Sequence, residues 1–569
     1  MQIALLQLNA RLGDPEGNGR QVEAAYAEAV AGGAELVLAP ELAIPGYLLE
    51  DRLWEPGMRR RIEAESWRLA AVTGAVPLLF GTARPAPSER LWNELWWCEG
   101  GALRHCAHKR VLPSYDVFDE HRYFEPDPAP QPLVLFGGHR IGLSICEDLW
   151  ADPQLGNAPV GYGVDPIADL AAAGATLILN ASASPSALGS YLPPGRSAPW
   201  AIPSKDSQRR RLLPGLAQKH RIPIAYASRV GAESWLLFDG GSGLALPDGR
   251  WQGCAAFQEG LLRVDTNLPG AVWHDAEDGP WLHQALVTGL RDNLAKQGLE
   301  ALVLGLSGGI DSAVAAALAV EALGPDRVFG VALPTRFSSA ESSSLAEQQA
   351  RRLGLGFLSL DADAPFSGCA ASLQQAFAGR SFGLTDENLQ SRCRGSLLMA
   401  LTSEPDLHRR LGTDRVAVLN TGNKSEAATG YFTLYGDGIG VFAPLGDCLK
   451  GRVYAVARDL GEAVPRGVLE RAPTAELRPG QTDEASLLPY AQLDAILGAA
   501  LEAQRPEEGL ADDLALLLEG AALAQARAAL PRILGLLRRT EFKRRQLPFA
   551  FKVSPKAFGA GRRIPLTAL

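Results

Sequence analysis

The sequence predicts an α/β protein of two large domains. At 569 residues the chain exceeds what one hydrophobic core usually supports. Short apolar runs alternate with amphipathic stretches in both halves, and the string DTNLPGAVWHDAEDGP, rich in proline, glycine and acids, separates the halves. We therefore expect a first domain over residues 1–265, a linker over 266–284, and a second domain with a basic tail over 285–569.

Five buried strands are predicted in the first half from the strings AELVLAP, VPLLFGTARP, HRIGLSIC, GATLILNAS and IPIAYASRV. Helical stretches separate only some of these strands. Several strand pairs are too close in sequence for a helical crossover, so they cannot all be parallel neighbours. The first domain is therefore predicted to be a mixed α/β sandwich.

The second half begins with the helical string WLHQALVTGLRDNLAKQGL, followed by a strand (ALVLGL), the loop SGG and a second helix (DSAVAAALAVEAL). Strand-to-loop patterns recur in DRVFGVALPT and VAVLNTGNKSE, at intervals long enough for crossover helices. These spacings predict a doubly wound parallel sheet, which binds ligands at the carboxyl ends of its strands.

Charge and cysteine usage exclude several function classes. A net charge of -9 argues against a general nucleic-acid binder, which needs a positive surface. The seven cysteines are scattered without a CxxC pair, so neither a disulfide framework nor a zinc site is indicated. We find no apolar run of membrane-spanning length and no secretory leader, and expect a cytoplasmic protein without nucleic-acid or membrane partners.

Three charged or nucleophilic residues lie at predicted strand ends in the first half. Cys146 ends HRIGLSIC, Glu41 lies in APELAIPGY, and Lys109 lies in HKRVLPSYDVFDEHRYF. A carboxylate can take the thiol proton and an ammonium can stabilise the oxyanion formed on attack, so together they suit amide hydrolysis. Taken singly, the cysteine is better explained as a core-packing residue, and the charged pair is better explained as a structural ion pair.

The strings PELAIPGY, KRVLPSYDVFDEHRYF, ICEDLW and FDGGS resemble, in this order, the nitrilase-type carbon–nitrogen hydrolases, especially the glutamine-hydrolysing domain of NAD synthetases. The resemblance covers residues 1–265 and implies an αββα sandwich. It also implies Glu41 as general base, Lys109 as oxyanion stabiliser and Cys146 as nucleophile, through a thioester of the glutamine side chain.

The same resemblance implies a glutamine pocket formed by Tyr115, Ser184 and Lys205, with Tyr47 and Glu147 nearby. The chain departs from the family pattern here, because the insert ALGSYLPPGRSAPWAIPS separates the serine string from the next lysine. Lys205 is assigned from the arginine that follows at position 209. Asparagine remains open as an alternative nitrogen donor.

SGGIDS, from Ser307 to Ser312, lies between a predicted strand and helix, where a phosphate loop is expected. Two glycines let backbone N–H groups approach phosphate oxygens, and the helix N-terminus favours an anion. The loop lacks the GK[ST] of a Walker A motif, and its aspartate, Asp311, would repel phosphate unless Mg²⁺ intervenes. A simple strand–helix turn with an aspartate cap is the structural alternative.

SGGIDS resembles the pyrophosphate loop of ATP pyrophosphatases, which have an adenine nucleotide alpha hydrolase-like fold. The strings ENLQSRCRG, LNTGNKSEAATGYFTLYGDG, PTAELRPGQTDEASLLPYAQLD and EFKRRQLP resemble NAD synthetases in particular, over residues 285–550. The resemblance implies an ATP site, a Mg²⁺ site and a deamido-NAD site, with ATP and deamido-NAD as substrates. The implied ATP-binding residues are Gly305, Leu306, Ser307, Gly308, Gly309, Ile310, Asp311, Ser312, Thr421, Lys450 and Thr474. Those implied for deamido-NAD are Asn388, Glu426, Phe542 and Lys543, and for the metal Asp311 and Glu426.

Together the two resemblances imply an enzyme that frees ammonia from glutamine and uses it to amidate deamido-NAD at the expense of ATP. A shielded passage for ammonia is expected, because free ammonia is mostly protonated near neutral pH. The resemblance further implies a homo-oligomer. Two alternatives stay open: a synthetase that uses ammonium directly beside an inactive amidase half, and a non-catalytic nucleotide-binding scaffold.

Overall fold

The computed structural model describes residues 1–156, 160–274, 277–377, 379–474, 476–478, 481 and 487–567. The chain divides into two compact units. The first comprises Met1–Ser186 and Ser204–Asp275, and the second comprises Ala187–Pro203 and Ala276–Leu569. Residues 187–203, which we call the strap, thus group with the second unit although both of their flanks belong to the first. The expected boundaries at 265 and 285 stay a prediction.

The first unit contains fourteen strands and four α-helices among its described residues. In chain order they are β1 Gln2–Gln7, α1 Pro15–Ala31, β2 Leu36–Leu38, α2 Pro56–Ala71, β3 Leu78–Pro85, β4 Leu91–Glu99, β5 Ala102–His108, β6 Val134–Phe136, β7 His139–Ile145, α3 Pro166–Ala172, β8 Leu177–Ser182, α4 Lys205–His220, β9 Ile224–Ser228, β10 Val230–Glu233, β11 Leu236–Asp239, β12 Gly243–Ala245, β13 Trp251–Gly253 and β14 Gly260–Asp265.

Two six-stranded sheets form the middle of this unit, in the orders β14-β1-β2-β3-β4-β5 and β13-β12-β9-β8-β7-β6. Apolar side chains of both sheets, among them Leu5, Leu79 and Leu179, form one buried cluster between them. A second cluster packs α1 and α2 on the first sheet, and a third packs α3 and α4 on the second. This is the predicted αββα sandwich, in which burial of both sheet faces removes apolar surface from water.

Both parallel and antiparallel pairs occur in these sheets. β1 is parallel to β2 and antiparallel to β14, and β7 is parallel to β8 and antiparallel to β6. The expectation of a mixed sheet is confirmed. Each of the five apolar strings predicted as strands contains one: β2, β3, β7, β8 and β9.

The second unit contains a small sheet and many helices. In chain order its elements are α5 Asp278–Gln297, β15 Ala301–Gly305, α6 Ile310–Leu323, β16 Val328–Ala332, α7 Ala340–Leu353, β17 Gly356–Ser359, α8 Asp363–Ala376, α9 Leu384–Leu401, α10 Pro405–Leu411, β18 Val416–Val418, α11 Lys424–Thr429, α12 Lys450–Asp459, α13 Arg466–Glu470, α14 Tyr490–Leu497, α15 Glu507–Asp513, α16 Gly520–Arg539, α17 Glu541–Arg544, β19 Ala557–Phe558 and β20 Gly561–Arg562.

The main sheet of this unit has the order β17-β16-β15-β18, and all its pairs are parallel. Helix α10 packs on one face through Leu407 and Leu411, while α6 packs against β15 and β16 and joins α5 and α12. The predicted doubly wound sheet is confirmed. The chain order reverses at β15, which places the loop after this strand at the topological switch point where such sheets bind ligands. No helix in the described ranges has both the length and the apolar character needed to cross a membrane.

Candidate active sites

Glu41 lies in the loop after β2, and the backbone of β3 holds this loop closely. The Gly81 N–H donates to the Pro40 carbonyl at 3.1 Å, and the Gly81 carbonyl accepts from the Ile44 N–H at 3.2 Å. A Cβ at position 81 would clash with the backbone of residues 40–42. Glycine is therefore required here for close approach of two backbone segments.

Lys109 follows β5 and is fully buried between two carboxylates. Its Nζ donates to Glu41 Oε1 at 2.7 Å and to Glu120 Oε1 at 2.8 Å. Glu41 also accepts from Asn93 Nδ2 at 2.8 Å and from the Ala183 N–H at 2.9 Å. Burial alone would lower the pKa of Lys109, but the two carboxylates outweigh it and raise that pKa well above its ordinary value. Lys109 is thus a fixed, protonated cation.

Glu120 was not predicted from the sequence. It is buried, accepts from Tyr47 Oη at 2.7 Å, and burial raises its pKa to about 7 despite the neighbouring Lys109. The string DVFDEHRYF contains it, but no spacing rule distinguishes it from the adjacent Asp119. Tyr47, expected near the glutamine, has its hydroxyl on this carboxylate instead.

Cys146 directly follows β7 and begins a short 3₁₀ turn, Cys146–Leu149. Its φ of 43° lies in the left-handed region, which non-glycine residues rarely adopt. Asp148 fixes this turn by accepting from the backbone N–H groups of Ile145, Arg110 and Val111 at 2.9–3.1 Å. The backbone after Lys109 and that before Cys146 therefore share one carboxylate, which joins the two candidate catalytic segments.

The Cys146 side chain is 6 % exposed, and burial followed by the charge of Glu41 raises its pKa well above the ordinary value. Lys109 acts in the opposite direction on the same thiol. The resting group is consequently a thiol, and attack on an amide needs a base to take its proton. Glu41, Lys109 and Cys146, assigned from separate strings, are therefore brought together.

Two tyrosine hydroxyls and a lysine interact with Glu147, the residue after Cys146. Its Oε1 accepts from Tyr115 Oη at 2.8 Å and from Tyr162 Oη at 2.6 Å. Lys205, at the start of α4, places its Nζ 3.4 Å from the ring centre of Trp150 and interacts electrostatically with Glu147. Tyr162 was not predicted, because nothing in the string VGYGVD marks it.

Ser184 and Lys205 flank the strap in the sequence. Hydrogen bonds and an ion pair hold the loop after Ser184 and the helix that begins at Lys205. Ser184 is buried just after β8. Ser186 Oγ donates to Asp239 at 2.7 Å, and Asp239 also bonds Arg209, which lies one helical turn after Lys205. This buried ion pair joins the FDGGS string to α4 and fixes the helix that carries Lys205.

We expect Gly81→Ala to reduce glutaminase activity at least roughly a hundredfold. The added Cβ would displace the backbone of Glu41, and a shift of about 1 Å in a catalytic group can reduce the rate to that extent. Initial rates of glutamate formation test this. Gly57→Ala, on α2 with nothing within 4 Å of its new Cβ, is the control. Equal rates for the two variants would contradict the placement of Glu41.

The SGGIDS loop follows β15 and leads into α6. Gly308 has a φ of 74°, and a Cβ there would lie 2.5 Å from the Ser342 carbonyl oxygen. The serine hydroxyls bond within the loop: Ser307 Oγ lies 3.2 Å from Ser312 Oγ and accepts from the Gly309 N–H at 3.3 Å. The loop therefore has the backbone freedom and the helix N-terminus that a phosphate site needs.

Asp311 and Glu426 share a partner in Asn423. Asn423 Nδ2 donates to Asp311 at 3.1 Å, while its backbone N–H donates to Glu426 Oε2 at 3.1 Å. Lys450, 1 % exposed at the start of α12, forms an ion pair with Asp311. Asn423 therefore links the two carboxylates, and an ammonium pairs with the one in the phosphate loop. Carboxylate oxygens are the hard donors that Mg²⁺ takes, and an ammonium suits a polyphosphate.

The remaining predicted residues of the second unit have the following surroundings. Thr474 Oγ1 donates to the Gln481 carbonyl at 2.6 Å, and Asn388 accepts from Thr433 Oγ1 at 2.8 Å. Lys543 donates to the carbonyls of Gly430 and Phe432 at 2.8 Å, and burial lowers its pKa. Thr421 lies two residues before Asn423, between β18 and α11, and Phe542 is exposed.

A buried charge network under α12 was missed in the sequence. Lys424, the first residue of α11, bonds Glu502 at 2.7 Å and Asp447 at 2.9 Å, and all three are fully buried. Glu502 also pairs with Arg452 at 3.1 Å. The partners lie up to 78 residues apart, so only their convergence in the fold reveals them.

Comparison with known proteins gives matches over both units. The carbon-nitrogen hydrolase family model matches residues 2–271, and the NAD synthase family model matches residues 282–547. A glutamine-dependent NAD(+) synthetase of Synechocystis sp. is 37 % identical, over 99 % of this chain and 98 % of its own length. One of Xanthomonas campestris is 38 % identical, over 94 % of this chain and 91 % of its own.

A solved structure of the Acinetobacter baumannii glutamine-dependent NAD+ synthetase in complex with ADP is also similar. It is 30 % identical, covers 99 % of this chain and 98 % of its own, and superposes with a TM-score of 0.72. The relatives align with nearly the full length of the chain. The first family model covers the half that contains Cys146, and the second covers the half that contains the SGGIDS loop. The chain therefore belongs to the glutamine-dependent NAD(+) synthetase family.

Proposed function

We propose that this chain makes NAD(+) by hydrolysing glutamine in its first unit and using the ammonia to amidate deamido-NAD(+) in its second, with ATP going to AMP and pyrophosphate. This would be the last step of NAD synthesis. The observation that carries the proposal is the burial of Lys109 between Glu41 and Glu120 beside the Cys146 thiol, on a chain that also carries the SGGIDS loop.

In the first half-reaction Glu41 takes the Cys146 proton as the sulfur attacks the amide carbon of glutamine. Lys109 stabilises the oxyanion, whose charge would be costly in a buried site. Collapse of this tetrahedral intermediate to the thioester breaks the carbon–nitrogen bond. Glu41 returns the proton to the nitrogen, which leaves as ammonia. Water then attacks the thioester, Glu41 takes one of its protons, and glutamate and the Cys146 thiol are released.

The glutamine backbone would be recognised by two opposite charges. Glu147, held by Tyr115 and Tyr162, would accept from the substrate ammonium, and Lys205, which lies over the Trp150 ring, would pair with the substrate carboxylate. Ser184 would donate to the substrate from the loop after β8. Tyr47 would act indirectly, through Glu120. A zwitterionic substrate leaves neither charge unpaired, which favours glutamine over a simple aliphatic amide.

In the second half-reaction the nicotinate carboxylate of deamido-NAD attacks the α-phosphorus of ATP, and the bond to pyrophosphate breaks. Ammonia then attacks the acyl carbon, AMP leaves, and one proton is lost. Residues Gly305–Ser312 and Lys450 would bind the phosphates, and Thr421 and Thr474 the rest of ATP. Asp311 and Glu426 would hold Mg²⁺, which neutralises phosphate charge when bound.

Recognition of deamido-NAD is assigned to Asn388, Glu426, Phe542 and Lys543. Asn388 and Lys543 bond protein groups here, so their partners would be exchanged on binding. The free cysteines suit a reducing, cytoplasmic location. The resemblance to the family implies a homo-oligomer, which sedimentation velocity would test.

Product analysis tests the proposal as a whole. Purified protein is incubated with ATP, Mg²⁺ and deamido-NAD, with either glutamine or ammonium as nitrogen source. We expect NAD, AMP and pyrophosphate from both. If NAD formed with ammonium but not with glutamine, the chain would be a synthetase that uses ammonium directly. If ATP bound without release of pyrophosphate, the chain would be a nucleotide-binding scaffold. Either result would contradict the proposal.

The Lys205 assignment predicts a pH dependence. Burial lowers the pKa of Lys205 to about 8, below its ordinary value, so the free enzyme loses this charge as pH rises through about 8. At pH values between this pKa and the higher pKa of Lys205 in the unfolded chain, the unfolded chain binds more protons than the folded one. The contribution of Lys205 to the free energy of unfolding therefore rises with pH in that window. We expect kcat/KM for glutamine to fall above pH 8 in the native enzyme.

Lys205→Met is the comparison for this profile. Its kcat/KM should be roughly ten- to a hundredfold lower, because a partner of the substrate carboxylate is lost, with a higher KM and a weaker decline above pH 8. A profile that declines equally in both proteins would show that another group titrates.

A further inference from the structure

β4 and β5, neighbouring strands of the first unit, bring a carboxylate, a thiol and an imidazole together. Glu94 on β4 lies directly across from His108 on β5. Cys106 lies two residues before His108, and alternate residues of a strand share one face. In the sequence these two residues form only a Cys-x-His pair, and Glu94 is remote from it, so cysteine spacing alone does not reveal the cluster.

The distances within this cluster suit a bound metal ion. One potential ligand atom from each of Glu94, Cys106 and His108 lies within 4.8 Å of the other two. His108 Nε2 is 3.2 Å from a carboxylate oxygen of Glu94. Nitrogen and oxygen ligands of a tetrahedral zinc ion lie roughly 3.3 Å apart, so this pair already has the required spacing. The Cys106 thiol hydrogen-bonds the same carboxylate, so the three groups converge.

The cluster also offers the donor types of a zinc site. Zinc takes thiolate, imidazole and carboxylate ligands, whereas Mg²⁺ prefers oxygen ligands alone. The Glu94 side chain is fully buried, Cys106 is half-buried, and the His108 side chain is 24 % exposed. Solvent therefore reaches the cluster from the histidine side, where water can complete a four-coordinate ion.

The other ring nitrogen of His108 is held by a carboxylate outside the cluster. His108 Nδ1 lies 2.9 Å from Asp127 Oδ2, and Asp127 also accepts from Gln131 Nε2 at 3.0 Å. Trp92 stacks on the imidazole, with ring centres 4.6 Å apart and an angle of 4° between the planes. A carboxylate on one nitrogen orients a histidine so that the other nitrogen can bind a metal. His108 has this arrangement.

Two further donors set the charge around Glu94. Trp96 Nε1 donates to Oε2 at 2.6 Å, and the Arg84 guanidinium donates to Oε1 at 3.1 Å. Arg84 would repel a cation, but Glu94, Asp127 and a Cys106 thiolate together carry three negative charges. A divalent ion and the guanidinium balance them. Burial raises the pKa of the Cys106 thiol, so an ion that binds there releases its proton to solvent.

We propose that Glu94, Cys106 and His108 bind a divalent transition-metal ion of the zinc class, with Asp127 as the positioning residue of His108. The ion would join β4 to β5, which is the last strand of its sheet. It would take no part in the proposed reaction.

The site would lie behind two groups of the thiol cluster. Asn93 and Lys109 are the chain neighbours of Glu94 and His108, and both bond Glu41. The Lys109 N–H also donates to the Asn93 carbonyl at 2.9 Å. A metal crosslink one residue away would therefore hold together the strand ends that carry these two side chains.

Titration of the full-length protein with Co²⁺ tests the site, because cobalt bound to a thiolate gives a charge-transfer absorption that carboxylate-bound cobalt lacks. We expect about one thiolate-bound Co²⁺ per chain in the parent, displaced by Zn²⁺. The absorption should be lost in Cys106→Ser. Competition with a chelator should show zinc affinity at least roughly a hundredfold lower in His108→Gln.

Asp127→Asn tests the positioning role. The three ligands remain in this variant, so the cobalt–thiolate absorption should persist while the zinc affinity falls roughly ten- to a hundredfold. A merely structural role would leave the zinc affinity at the parent value, and that result would overturn the positioning by Asp127.

Three control variants change comparable residues outside the cluster. Cys254→Ser alters a half-buried free cysteine of the same unit, and His105→Gln alters an exposed histidine of β5. Cys146→Ala removes the thiol proposed to react with glutamine. All three should keep the absorption and the zinc affinity of the parent. A cooperative thermal transition in each variant verifies that it is folded.

The outcomes are separate from those of the proposed function, because the binding assays contain neither glutamine nor ATP. Absence of the thiolate absorption in the parent, or its persistence in Cys106→Ser, would overturn the metal site. Loss of the absorption in Cys146→Ala or Cys254→Ser, with retention in Cys106→Ser, would assign the cobalt to another thiol and would overturn it too.

Discussion

Cys146→Ala is expected to lower glutamine-supported NAD synthesis by more than about a thousandfold and to leave ammonium-supported synthesis within about twofold of the parent. The sulfur is the group that forms the thioester, and no neighbouring side chain can replace it. Lys109, Glu41 and the second unit are unchanged by the substitution. Steady-state NAD formation with each nitrogen source, followed by chromatography, measures both rates.

Cys98→Ala is the matched control. Cys98 is a buried free cysteine on β4, and burial raises its pKa to about 12, so it is an inert packing residue. Its truncation should affect stability but not the ratio of the two nitrogen sources. If Cys146→Ala reduced both sources equally, or neither, the proposed division of labour would be wrong.

Lys450→Met should have the complementary effect. It removes the ammonium beside Asp311 and the phosphate loop, so phosphate charge developing in adenylation loses a buried partner. We expect synthesis from glutamine and from ammonium to fall together by at least about a hundredfold. Glutamate release by the first unit should persist, and pyrophosphate release with ammonium reports the loss directly.

Lys296→Met on α5 is the control for this change, because it removes an ammonium from the same unit at a residue outside the predicted site. Glutaminase activity serves as the internal standard for folding of the first unit. Normal pyrophosphate release by Lys450→Met would remove this residue from the phosphate site.

The fold class could be predicted from the sequence because the strands are short apolar runs and the segments that connect them differ in length between the two halves. In the first half too few helices lie between the strands for a fully parallel sheet, and in the second half the intervals between strands are long enough for crossover helices. Both features can be recognised from the local sequence pattern. The strand-end position of Cys146 was equally visible, since β7 ends at Ile145. What pattern alone did not provide was the conjunction of Cys146 with Glu41 and Lys109, which came from resemblance.

Other site residues were invisible for a physical reason. Glu120 is one acid among several in an exposed-looking string, and only the fold buries it against Lys109. Tyr162 acts through a hydroxyl whose partner, Glu147, is fixed by tertiary structure. In the sequence the strap is an insert of small, apolar and proline residues. Its grouping depends on partners far along the chain, 263 residues away for Gly189 and Arg452 and 365 for Leu188 and Val553.

The most direct test of two coupled activities on one chain is transfer of the amide nitrogen. The enzyme is supplied with ATP, Mg²⁺, deamido-NAD and glutamine labelled with ¹⁵N at the amide, and the NAD product is analysed by mass spectrometry. We expect NAD heavier by one mass unit from the parent enzyme, and no labelled NAD from Cys146→Ala. Unlabelled NAD from the parent enzyme, or labelled NAD from Cys146→Ala, would contradict it.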